Sequence, residues 1–171
     1  MSKIDTLEAV AGINAKENSM ARRSRKKSKK QRIEESEARL KKRAKKLFEN
    51  ESGVIMRNNA SQEKMSEVIL KFIEPYRRYA GSTNAVNSLV ALALVAWNTT
   101  LLPPEKRQES LEESILIMPE EMRDMCRDLL PEMMKRKQRY FSQYDRMVLD
   151  FEVADMGDGF HLSVVSTLDG E

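Results

Sequence analysis

Eight of the eleven residues from Arg22 to Arg32 are basic and none is acidic. Like charges at this density repel one another and offer nothing to bury, so such a run becomes a solvated arm or an exposed helix rather than part of a core. A second basic group follows at Arg39, Lys41, Lys42, Arg43, Lys45 and Lys46. Residues 1–50 hold 16 Lys and Arg against 7 Asp and Glu, and residues 51–171 hold 14 against 20. The overall charge of +3 therefore conceals a basic leader and an acidic remainder. With 40% apolar residues, the chain suits a compact part joined to a solvated one.

The division expected from this is a basic flexible arm over 1–58, with an exposed helix at 33–48, and a helical domain over 59–171. Within the first part, Asp5 and Glu8 form a capping pair around Leu7, Val10 and Ala11, with Gly12 as the stop. So short a helix is unstable alone, which leaves a frayed terminus or a peptide that folds on a partner. Ile33, Leu40 and Leu47 fall seven apart and make a thin stripe, so the helix at 33–48 is expected to be solvated. Glu51-Ser52-Gly53 and Asn58-Asn59 mark the boundary to the body.

Body helices follow from apolar spacing. Met65, Val68, Ile69, Phe72 and Ile73 share one face of a helix starting near Ala60, capped by Asn59 or Ser61, and Pro75 breaks it. Ala85 to Asn98 is apolar on nearly all sides and belongs at the centre. Pro103-Pro104 opens a helix with Leu111, Ile115 and Met118 inward. Pro119 opens another, with Met122, Met125, Cys126, Leu129 and Leu130 inward, and Pro131 is expected to kink or restart it. The period then changes to two. Leu149, Phe151 and Val153 alternate with Asp150 and Glu152, a turn follows at Asp155–Gly159, and Phe160, Leu162 and Val164 resume the pattern. This is a β-hairpin at about 146–167, which must lie against the helices. The fold class is mainly α: a compact helical domain with a C-terminal β-hairpin, preceded by a basic, largely disordered or singly helical arm.

Chemistry-bearing patterns are scarce. One Cys and one His exclude a disulfide framework and a zinc site built from Cys and His. His161 sits in a predicted strand and Cys126 on an apolar helix face, where both read as packing residues. No nucleophile elbow, phosphate loop or calcium loop fits. Adjacent Glu112-Glu113 and Glu120-Glu121 point about 100° apart on a helix and cannot converge. The expectation is a non-catalytic protein with no cofactor, no metal and no membrane span. Its longest apolar run, Leu89 to Trp97, is half of what a span needs. A cytoplasmic location is expected, or a nuclear one in a eukaryote.

The basic arm carries the functional expectation. Arg22, Arg23, Arg25, Lys26, Lys27, Lys29, Lys30, Arg32, Arg39, Lys41, Lys42, Arg43, Lys45 and Lys46 are the candidate nucleic-acid-binding residues. They would contact phosphates without sequence preference, because the run from Arg22 to Arg32 contains no aromatic to stack bases. RNA or a ribonucleoprotein is slightly preferred over DNA. Two clusters, Tyr76-Arg77-Arg78-Tyr79 and Lys135 to Tyr144, interleave cations with aromatics and suit either unpaired bases or a packed helix end. The alternative is a protein-interaction module using a methionine-rich face (Met118, Met122, Met125, Met133, Met134) or the hairpin edge, with a homodimer among its forms. The arm could also mask itself against the acidic helices at 105–128.

Overall fold

The computed structural model describes residues 27–48 and 63–167. The helix expected around Leu7, the Asn59 and Ser61 caps and the boundary at 51–59 lie outside them. The described chain runs α1 (Lys29–Phe48), α2 (Met65–Ile73), a 3-10 segment (Glu74–Tyr79), α3 (Thr83–Leu101), α4 (Pro104–Leu116), α5 (Glu120–Tyr140), β1 (Val148–Asp155) and β2 (Phe160–Ser166). The mainly helical body with its C-terminal hairpin is the architecture the apolar periods predict.

Helix α3 forms the centre. Ser82 caps it by accepting from the Ala85 N–H at 3.2 Å. Eleven of its residues are buried, from Ala85 to Thr100, so it has almost no solvent face. Pro75 ends α2 as an α-helix, and the chain continues as the 3-10 segment. Pro104 opens α4. Helix α5 does not restart at Pro131: it runs unbroken to Tyr140, with Met122, Cys126 and Leu130 buried before the proline and Met133 after it. Packing along α3 on both sides of the proline offsets its one missing N–H. Phe72, Trp97 and Phe141 meet edge-on, with ring centroids 5.4–6.0 Å apart.

The hairpin is antiparallel, pairing Phe151 with Val164, Val153 with Leu162 and Asp155 with Phe160. One expectation needs correcting. The pairing slips between Val148 and Asp150, so Leu149 is bulged out of the ladder and Val148 takes the buried position. In the turn, the Asp155 carboxylate accepts from the Gly157 N–H at 2.7 Å, and Gly157 adopts φ 87°, which only glycine enters cheaply.

Side chains of Phe151, Val153, Phe160, Leu162 and Val164 pack onto the helical core. The opposite face, bearing Asp150, Glu152 and Ala154, meets α1. Here the expectation of a solvated helix fails: α1 starts at Lys29 and buries Ser36, Leu40 and Ala44. The hairpin is thus a thin middle layer, with the body on one face and the basic helix on the other. Among the described residues no single helix is long and apolar enough to cross a membrane.

Candidate nucleic-acid interface

Arginines and lysines of α1 are sorted by what they face. Arg39 Nε donates to Glu152 at 2.8 Å. Arg43 donates to Asp150 at 2.9 Å, to Glu152 at 2.5 Å and to the Phe151 carbonyl at 2.6 Å. Arg32 donates to the Asp155 carbonyl at 2.9 Å, and Lys29 pairs with Asp158 at 2.6 Å. Numbers along α1 rise as numbers along β1 fall, so helix and strand run antiparallel. Four residues of helix advance about 6 Å. Two residues of strand advance about 6.6 Å. Arg39 and Arg43 therefore match Glu152 and Asp150 step for step.

The electrostatics follow from that match. Partial burial pushes the Glu152 carboxyl up, but the Arg43 and Arg39 guanidiniums outweigh it and hold it below the ordinary carboxylate range. The same carboxylates hold the Arg43 guanidinium firmly protonated. Bonds to Lys29 lower Asp158.

The remaining candidates divide into three groups. Arg22, Arg23, Arg25 and Lys26 lie outside the described residues. Lys27 pairs with Glu35 at 2.7 Å, and Lys30 approaches Glu34 at 3.8 Å, both on the exposed surface. Lys41, Lys42, Lys45 and Lys46 are exposed and make no ion pair among the described residues. They form two i,i+4 rows: Lys41/Lys45 lies across the helix from the arginines, and Lys42/Lys46 flanks them.

The cation–aromatic clusters are partly absorbed by the fold, and of the second cluster Tyr140 stays exposed with Arg136 and Arg139 over its ring. Arg136 donates to the carbonyls of Phe72 and Lys71, and it lies over Phe141. Lys137 is buried over the Trp97 ring and donates to the Phe141 and Tyr144 carbonyls, closing the C-terminus of α5. Burial lowers its pKa. Arg77 pairs with Glu74 and lies over Phe160, beside an open groove of about 950 Å³. Arg77 and Arg78 share that groove with Glu74 and Asp155, so its charges balance. Met122 and Met133 are buried, and Met118, Met125 and Met134 are partly buried against the core. Cys126 is buried and its thiol is pushed up, which makes it a poor nucleophile. Among the described residues no three His, Cys, Asp or Glu side chains gather as a metal site.

The docking of α1 is what the sequence reading missed. A signal for it was present: two acids two apart on a strand face, and two arginines four apart on a helix. No family model, curated protein or solved structure matches the chain.

Proposed function

We propose that this is a non-catalytic accessory protein that binds the backbone of nucleic acid, RNA or a ribonucleoprotein before DNA, through its N-terminal basic region. One observation supports the reading above the others. Helix α1 spends Arg32, Arg39 and Arg43 on its own hairpin and leaves Lys41, Lys42, Lys45 and Lys46 exposed. Lysine suits that outer face, because it meets phosphate as a flexible point charge without fixing a base. The arginines fix the helix and the lysines it carries. The run from Arg22 to Lys26 extends the same charge.

Fluorescence anisotropy of labelled RNA and duplex DNA across a salt series tests this. Changing Lys41, Lys42, Lys45 and Lys46 together to Gln should weaken binding to every sequence alike. For duplex DNA the slope of log K against log salt should become shallower by about 3–4 if all four engage phosphates. Unchanged affinity and slope would refute the assignment. Changing Arg39 or Arg43 should act through loss of α1 docking, seen by circular dichroism.

A further inference from the structure

Helix α5 ends in a cationic stretch. From Met133 to Tyr144 the chain holds Lys135, Arg136, Lys137 and Arg139 and neither Asp nor Glu. At about 100° per residue these side chains part ways. Met133 and Lys137 turn inward, and Phe141 follows them into the core. Lys135, Arg136, Arg139 and Tyr140 share the outer side, in two i,i+4 rows, Lys135/Arg139 and Arg136/Tyr140. Phe141 takes the place beside Phe72 and Trp97. Tyr140 is left 54% exposed, the one aromatic among the large apolar side chains that face solvent in the described residues. Cations accompany its ring: the guanidiniums of Arg136 and Arg139 lie 5.5 and 5.2 Å from its centroid.

The two arginines differ in how firmly they are held. Arg136 is fixed at the ring by its bonds to the Phe72 and Lys71 carbonyls. Arg139 and Lys135 are exposed and make no hydrogen bond or ion pair among the described residues. Closure of the helix does not require them. Lys137 takes the Phe141 and Tyr144 carbonyls, and the Phe141 N–H takes the Lys137 carbonyl. A terminal dipole favours cations, but it has no use for an exposed ring.

We propose that this end of α5 is a stacking site for an unpaired nucleobase. Tyr140, steadied by Arg136, offers a preorganised aromatic surface. Arg139, bonded to nothing else, is free to close over the base, because a guanidinium plane stacks a base as an aromatic ring does. Lys135, one turn back in the same row, meets a neighbouring phosphate. Every base has a π-face, so the site takes single strands of any sequence and rejects duplex, whose bases are already stacked. The α1 lysines, which contact only backbone, cannot make that distinction. The site rests on the nucleic-acid reading but uses none of those lysines.

The test is anisotropy of the full chain with a labelled single-stranded RNA and with a duplex of the same sequence, across a salt series. Tyr140→Ala should weaken single-strand binding about tenfold or more, with an unchanged salt slope, because stacking releases no counterion. Duplex binding should not change. Tyr140→Trp should keep single-strand affinity. A 2-aminopurine base in the single strand should lose fluorescence on binding the parent protein and keep more of it on binding Tyr140→Ala. Tyr140 is exposed, so the fold should survive each change, as circular dichroism would show. Single-strand affinity and quenching unaltered in Tyr140→Ala overturn the inference. So does equal loss for duplex and single strand, which would mark a backbone contact. If the Gln variants of the α1 lysines still weaken binding in either case, the proposed function stands without this site. If they do not and Tyr140→Ala does, the site stands and the lysine assignment falls. Absence of binding by the parent protein at low salt overturns both.

Discussion

Arg43 is the residue on which the position of α1 most depends. Its fork meets two carboxylates and a strand carbonyl at once, a demand that lysine cannot meet with one ammonium. Arg43→Ala should cost about 1–2 kcal/mol in denaturant unfolding, held to the low end because the side chain is 45% exposed and screened. Arg43→Lys should recover only part of that. Glu152 adds a pH dependence of defined sign. Its folded value lies below the ordinary 4.5, so its contribution is complete above that pH and is lost as acidification passes through the folded value. A circular-dichroism titration should show α1 loosening below about pH 4.5. Glu152→Gln should be weaker near neutrality and lack that step. Ser36 makes the opposite prediction. Its hydroxyl is buried without a partner, at the interface where the Ser163 hydroxyl is also orphaned. Ser36→Ala removes an unsatisfied group and improves helix propensity, and should raise stability by about 1 kcal/mol.

At the scale of elements, what was legible in the sequence is what each segment dictates by itself. The face of α2 from Met65 to Ile73, the all-round apolar α3 and the two alternating strands each carry their own period, and the structure places them accordingly. The bulge at Leu149 was not legible, because Val148 and Leu149 are equally apolar and only the clamp by Asn98 selects Val148. Nor was the continuity of α5 through Pro131, which depends on packing against a distant helix. Docking of α1 escaped for a related reason. Its buried stripe is Ser36, Leu40 and Ala44, and the two small residues flanking Leu40 permit close approach without looking hydrophobic. A basic helix appears solvated until the acids that neutralise it are located, and those lie more than a hundred residues away. The basic stretch of α1 was therefore legible as composition, but not its sorting into arginines that bond the hairpin and lysines that stay exposed.

For the molecule as a whole, this sorting implies two tiers of stability. Helix α3 is buried from both sides and holds eleven buried residues, so its amides should open only with global unfolding. Helix α1 is covered on one face, and ion pairs at the surface supply much of its attachment. Salt screens such pairs, while apolar burial in the body is not weakened by screening. Hydrogen exchange should therefore show amides near Leu40 exchanging through a smaller opening than those near Leu92. Raising sodium chloride should speed exchange in α1 and leave α3 nearly unchanged. Added nucleic acid should slow exchange in α1 if it binds the helix while docked, because ligand binding to the docked state raises the cost of opening by mass action. If instead the polyanion competes with the hairpin acids for Arg39 and Arg43, exchange at the main-chain groups those arginines cover should quicken. The Phe151 peptide group, held now by Arg43 and Asp150, reports directly on which of these occurs.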